Sequence, residues 1–220
     1  SLMLAIGSSV SSGKLIGEGD IKNASLIFTK TIICISAFSF ISCILLFFNI
    51  ETILYLLGAN ENLLNISMEY LSILLLFLPF LMIGIVLDYF VRVDNRPNLS
   101  FSALLLSAVI NVVLDWFLIV YLQVGIFGAA LATGISQLAL IFILLPHFFS
   151  KKATLKFIKP VGNYIEILKA GYNGFSEFIN EISVGITILI FNYTMLKNFG
   201  IEGISAISVV NYLLWIGIMI

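Results

Sequence analysis

Two polar residues interrupt an apolar stretch of the chain that reads AVINVVLDWFLIV (108–120). Asn111 and Asp115 are four residues apart, so on a helix they share one face. A carboxylate at the centre of a membrane-spanning helix costs about 3 kcal/mol on insertion scales. Two roles fit such a pair: binding a proton or a hard cation such as Na⁺, or joining neighbouring helices through hydrogen bonds.

Two hydroxyl groups on other apolar segments are predicted to lie near the depth of this pair. Tyr70, Asp115 and Thr133 are each about six to eight residues from the predicted outer end of a helix, or roughly 9–12 Å deep. If these helices adjoin, the four side chains form an oxygen-lined pocket suited to a proton or Na⁺. In the alternative, Asn111 and Asp115 only bond helices together, and Thr133 bonds its own backbone.

A second pair of acidic residues, Glu177 and Glu181, lies four residues apart in FSEFINEISVG. Glu181 is expected close to the membrane midplane. This spacing favours a proton relay or a contact with a cationic substrate. The alternative is a hydrogen-bonded glutamate that faces a water-filled vestibule.

Pro79 falls inside a long apolar segment, where proline removes one backbone hydrogen bond and kinks a helix. The kink could serve as a transport hinge or only as a packing feature. Asp88 and Arg92 follow near the end of the same segment. They are four residues apart and are predicted to form an ion pair at the membrane interface.

The composition explains why polar residues in these segments stand out. The 220 residues are 60% hydrophobic and 10% charged, with a mean hydropathy of +1.13. Soluble domains are about 45–50% apolar and about 25% charged. We therefore predict an all-α polytopic membrane protein that does not bind nucleic acid. The predicted complete spans are 25–48, 64–90, 99–122, 125–149 and 172–196, with partial helices before 16 and after 203.

Basic residues fall almost entirely on one side of this topology. The connections 14–30, 91–98 and 150–170 contain ten lysines and arginines, whereas the opposite side has only Lys197. Because cytoplasmic loops are rich in such residues, these three connections are predicted to be cytoplasmic and the protein to reside in the plasma (inner) membrane. IEILKAG, before the sixth span, is predicted to form an interfacial helix. Both chain ends lie within apolar stretches, so we expect an internal fragment of a longer protein.

Several motifs together resemble the multidrug and toxic compound extrusion (MATE) family. They are GEGDIKNA, VRVDNRPN and N-x-x-x-D, followed after a short hairpin by G-A-A-x-A-T-x-x-S-Q. The resemblance implies a bundle of two six-helix lobes, of which this chain holds the end of helix 2 to the start of helix 8. Residues 1–149 would be the N-lobe, 150–171 a cytoplasmic linker, and 172–220 the start of the C-lobe with helix 7 and part of helix 8.

The resemblance also implies a function and a site. Such proteins are secondary antiporters, not enzymes, that export organic, often cationic, compounds in exchange for H⁺ or Na⁺. They use no cofactor beyond the coupling ion, and a full-length monomer is expected. The family's cation site falls on Tyr70, Asn111, Asp115 and Thr133, and the only metal expected is Na⁺ at Asp115. A family glutamate on helix 7 aligns best with Glu181 and next best with Glu177.

Three other functions remain open. GEGD (17–20) matches the G-x-G-D motif of intramembrane aspartyl proteases, but Asp20 lies in a polar connection. A lipid-linked precursor flippase of the same superfamily would be expected to have a cationic cavity, whereas these spans carry acids. Finally, five complete helices cannot form a two-lobed transporter, so a non-transporting fragment is the third alternative. One departure from the family concerns helix 5, which has Trp116 after Asp115 where proline is frequent.

Overall fold

The computed structural model describes residues 1–57 and 61–219, which form helices joined by connections. In chain order the helices are α1 (Leu2–Gly17), α2 (Ile21–Phe48), α3 (Ile50–Leu56), α4 (Glu61–Val93), α5 (Pro97–Asp115), α6 (Ile126–Leu144), α7 (Ile165–Asn173) and α8 (Phe175–Met219). A π-helical segment, Trp116–Tyr121, continues α5, and a 3₁₀ turn, Leu145–Phe149, continues α6. Non-helical backbone at Gly200 interrupts α8.

Five of these helices are long and apolar enough to cross a membrane, which confirms the predicted all-α polytopic class. They cover Ile21–Phe48, Leu64–Val93, Pro97–Tyr121, Ile126–Phe149 and Phe175–Gly200. The predicted spans differ from the observed helices mainly at their ends. The predicted span 172–196 begins three residues before the observed helix. Tyr172 belongs to the short helix α7, and α8 begins at Phe175.

The connections that carry the basic residues are shorter than predicted. The connection predicted at 14–30 reduces to residues 18–20, because the Asp20 side chain accepts the Asn23 N–H (3.1 Å) and starts α2 there. The connection predicted at 91–98 reduces to residues 94–96 between α4 and α5. Residues 150–164 do form a long connection, and IEILKAG forms α7 as predicted.

The chain divides into two compact units, Ser1–Gly174 and a second that begins at Phe175 and consists of α8. The division predicted from the family resemblance, at 149/150 and 171/172, stays a prediction; residue 220 lies outside the described residues. The core of the first unit is aromatic. Phe28 stacks on Phe148 (4.4 Å between ring centroids) and touches Phe90 (5.0 Å) and Phe157 (4.8 Å). These contacts gather α2, α4, the end of α6 and the 150–164 connection at one end of the unit.

α6 approaches α4 closely because Gly134 has no side chain. A Cβ at Gly134 would lie 2.1 Å from Cδ2 and 2.4 Å from Cγ of Phe77. Small residues at such crossings let membrane helices pack backbone against side chain. Thr133, which precedes Gly134, lines a cavity together with residues of α4 and α5.

Replacing Gly134 tests this packing. Gly134→Ala is expected to lower the thermal unfolding midpoint, because overpacking a tight contact costs about 1–3 kcal/mol and outweighs the better helix propensity of alanine. Gly185→Ala on α8 is the control, because a Cβ there meets nothing within 4 Å. The control should be neutral or stabilising. Equal midpoints for the two variants in detergent would contradict the packing assigned to Gly134.

Candidate functional site

Asp115 is the last α-helical residue of α5, and one of its carboxylate oxygens is buried without a partner. Oδ1 of Asp115 has no hydrogen bond to any described residue. Buried polar atoms are hydrogen-bonded in the great majority of cases, and buried carboxylates are normally paired or bind a cation. A hydrogen-bond donor or a cation bound to Oδ1 would therefore stabilise this carboxylate.

The backbone changes its winding immediately after Asp115. Residues 116–121 form a π-helical segment, and Val124 N donates to Leu118 O (3.0 Å) where the chain turns toward α6. π-helical insertions are rare and occur frequently at functional sites. The segment starts at Trp116, where the family often has proline. Gly128 on α6 packs against it, since a Cβ at Gly128 would lie 2.9 Å from Cβ of Leu118.

Asn111 and Thr133, predicted to act together, line one cavity of about 410 Å³. The cavity lies among α4, α5 and α6, and Leu2 of α1 also lines it. The Thr133 hydroxyl donates to Ala129 O (3.0 Å), the backbone bond that the helix-bonding alternative expected. Asp115 and Tyr70 are not among the lining residues. The structure thus brings two of the four predicted ligands to one cavity, and it places half-buried Tyr70 on α4 outside that lining.

Other polar groups line the same cavity, and sequence reasoning did not connect them with it. Ser107 of α5 donates to Ser136 O (2.7 Å), and Ser136 donates to Thr133 O (2.8 Å) on α6. Gln137 and Asp88 also line it. The available signal was spacing: Ser107 lies four residues before Asn111, and Gln137 lies four residues after Thr133.

Asp88 pairs with Arg92, as its spacing predicted, but it is a buried residue. One carboxylate oxygen binds the Arg92 guanidinium and the other accepts the Ser100 hydroxyl of α5. Nε of Arg92 also donates to Ser100 Oγ (2.9 Å). Only 6% of Asp88 is exposed, and its carboxylate lies at the edge of the polar cavity.

The remaining predicted residues lie elsewhere. Pro79 is buried within α4, which remains helical on both sides of it, and its role as a hinge stays a prediction. In the second unit, Glu177 lies in the first turn of α8 and is half-buried, whereas Glu181 is exposed. Among the described residues no group of three or more His, Cys, Asp or Glu side chains could hold a metal ion.

Asp94 is another buried carboxylate, and the sequence analysis noted it only as part of the VRVDNRPN motif. Its oxygens accept the backbone N–H groups of Thr154 (3.0 and 3.1 Å) and Leu155 (3.0 Å). Oδ2 of Asp94 also lies 2.6 Å from Nε2 of His147. The carboxylate therefore ties the α4–α5 turn to the end of α6 and to the 150–164 connection.

Comparison with known proteins finds a family model and several multidrug export proteins that resemble this chain. The family model described as MatE matches residues 1–117. The multidrug export protein MepA of Staphylococcus saprophyticus is 28% identical over 195 residues, which cover 86% of this chain and 43% of that protein. MepA of Staphylococcus haemolyticus is 33% identical over 147 residues, covering 64% of this chain and 32% of that protein. The chain thus spans less than half the length of these curated relatives.

Solved structures share the fold at low sequence identity. An inward-facing multidrug resistance transporter of the MATE family matches 99% of this chain and 50% of its own, with a TM-score of 0.91 and 22% identity. A Pyrococcus furiosus transporter of the MOP superfamily matches 99% of this chain and 49% of its own, with a TM-score of 0.86 and 20% identity. The binding pocket of that second transporter has reverse polarity, which suggests a different function for it.

Proposed function

Because this chain belongs to the MATE family, we propose that it is part of a secondary antiporter that exports organic cations in exchange for H⁺ or Na⁺. The observation that carries the proposal is Asp115, whose Oδ1 is buried and has no donor among the described residues. The multidrug export named for the relatives belongs to proteins more than twice the length of the matched segment. For this chain, transport is therefore a proposal about the protein of which it forms part.

Asp115 is suited to bind the coupling ion. Asp115 is half-buried with Oδ1 out of contact with solvent, and a proton or Na⁺ would neutralise its carboxylate directly. Asn111, one turn away on α5, and Thr133, which lines the same cavity as Asn111, offer the oxygen ligands that hard cations prefer. Tyr70 completes the proposed ligand set of the first unit. In the second unit, Glu177 and Glu181 are proposed by themselves as a substrate contact or proton relay.

We also propose that the connections 14–30, 91–98 and 150–170 face the cytoplasm of a plasma membrane protein. Their ten basic residues support this orientation. Hydrogen bonds between these connections support their location on one side of the membrane. Asp94 accepts the Thr154 N–H (3.0 Å), and Ser25 near the start of α2 accepts the Lys156 N–H (3.3 Å).

The proposal predicts ion-driven movement of an organic cation. The native gene product in proteoliposomes should move a fluorescent organic cation when either a proton or a Na⁺ gradient is imposed, and collapsing that gradient with an ionophore should stop it. An equal K⁺ gradient is the control. The gradient that succeeds identifies the coupling ion, and lack of movement under both gradients would refute the antiporter.

Substrate charge needs its own comparison, because a related fold carries a binding pocket of reverse polarity. The acids at 115, 177 and 181 favour a cation. An anionic, phosphate-bearing probe should therefore remain behind under the same gradients. Its transport in place of the cation would favour the lipid-linked precursor flippase.

A further inference from the structure

The polar cavity extends well beyond the predicted cation ligands. On α5 and α6, Asn111 and Thr133 are the lining residues nearest the hairpin between the two helices, whereas Asp88 lies near the α4–α5 turn, toward the basic connections. Ser100, which bonds Asp88, precedes Asn111 by eleven residues, or roughly 16 Å along α5. Ser107, Ser136 and Gln137 lie between these levels. Ionisable residues inside a membrane usually face the bundle interior or a water-filled cavity and mark ion pathways, and Asp88 is such a residue.

The carboxylate of Asp88 has a partner that can leave. Asp88 is buried, but 45% of the Arg92 side chain is exposed, and its guanidinium lies 5.4 Å from the Tyr89 ring centroid. An arginine at a helix end can move its charged group to the membrane surface. A cation arriving through the cavity could then take its place on the carboxylate.

We propose that Asp88 is a second binding site for the coupling cation, at the inner end of the polar cavity, and that Arg92 and the cation occupy it alternately. The inference rests on the proposed function, since it supplies the exit route for an ion loaded at Asp115, which lies one helical turn from the cavity-lining Asn111. Arg92 displaces the cation into the cytoplasm and restores the ion pair. Ser100 stays on Asp88 in both states and holds the carboxylate at the cavity edge.

This exchange predicts opposite effects for the two members of the pair. Arg92→Gln removes the competing charge, so the driving cation should half-saturate transport at a lower concentration. The decrease should be at least about 5-fold, which is within the usual range of coupling between sites. Asp88→Asn removes the site, so the maximal rate should fall by at least about tenfold, with partial rescue by Asp88→Glu. A purely structural ion pair predicts that both neutral variants impair transport alike without tighter cation binding. That result would overturn the proposal.

A second measurement does not require transport. Cys34 and Cys43 are the chain's only cysteines. Cys43 donates to Leu75 O (3.1 Å), a bond that serine can keep, so both can be replaced by serine. Gln137→Cys in that background should react with a membrane-impermeant thiol reagent applied from the side of the basic connections. Leu105→Cys, on α5 outside the cavity lining, should remain unlabelled.

The two measurements separate the failure modes. If Gln137→Cys is unreactive in folded protein whose wild type shows ion-driven efflux, the cavity is not a water path, and the Asp88 site is refuted while the antiporter stands. If wild type shows no efflux under either gradient, the antiporter fails, and the Asp88 site fails with it as an exit route. Labelling of Gln137→Cys together with tighter cation binding in Arg92→Gln supports the site.

Discussion

Asp115→Asn in the native gene product is expected to abolish ion-driven efflux and to leave the protein as stable as before, or more so. The amide keeps the shape of the side chain but cannot carry the negative charge that binds a cation. Removing one partner of a buried charge pair costs about 3–5 kcal/mol, which corresponds to more than about 100-fold in an equilibrium constant. Stability should not fall, because Oδ1 of Asp115 makes no hydrogen bond with described residues that the substitution could break.

The two effects are measured on one preparation: ion-driven efflux in proteoliposomes and the thermal unfolding midpoint in detergent. Glu69→Gln is a matched control, because Glu69 is an exposed acid of α4 next to Tyr70. It should change neither quantity appreciably. A residue that only joins helices would give the opposite pattern for Asp115→Asn, with a lower midpoint and efflux reduced in proportion to the folded protein. Unchanged coupled efflux would exclude Asp115 as the ion site.

The helices were predictable because their apolar runs are a local property of the sequence. With the short π and 3₁₀ segments that continue α5 and α6, the helices α2, α4, α5 and α6 begin and end within a few residues of the predicted spans. That Asn111 and Thr133 share a cavity could also be predicted from the sequence, because depth along two antiparallel helices follows from counting residues. Depth alone does not fix which way a side chain faces. Tyr70, at a similar depth on α4, accordingly lies outside the cavity lining.

What the sequence did not predict depends on contacts between distant segments. Lys30 was assigned to a connection, yet it lies within α2 and is only 2% exposed. Its Nζ donates to Asn163 O (2.7 Å), 133 residues away, and lies 3.6 Å from Glu166. The π-helical segment after Asp115 likewise depends on how the chain turns back against α6 at Gly128. Neither feature has a periodic signal in the local sequence.

The largest stability effect is expected at Asp94, which belongs to the VRVDNRPN motif but was not predicted to hold distant segments together. Asp94 is 4% exposed, and its carboxylate accepts two backbone N–H groups of the 150–164 connection, with His147 as a further partner. Asp94→Ala leaves these groups without their acceptor. Removing one member of a buried charged network costs about 3–5 kcal/mol, so the unfolding midpoint should drop sharply. Limited proteolysis within residues 150–164 should accelerate in parallel.

Asp20→Ala provides the scale for that loss, because Asp20 also accepts a backbone N–H but caps α2 at the surface. Removing such a cap costs typically about 1 kcal/mol. If Asp94→Ala shifts the midpoint no further than Asp20→Ala, the buried network does not hold the connection in place. A much larger shift, with faster cleavage confined to residues 150–164, would mean that one carboxylate fixes the segment leading to α7. The later part of the segment is bonded to α2, where Ser25 accepts the Lys156 N–H (3.3 Å) and Lys30 donates to Asn163 O (2.7 Å), so the cleavage that Asp94→Ala accelerates should lie near Thr154 and Leu155.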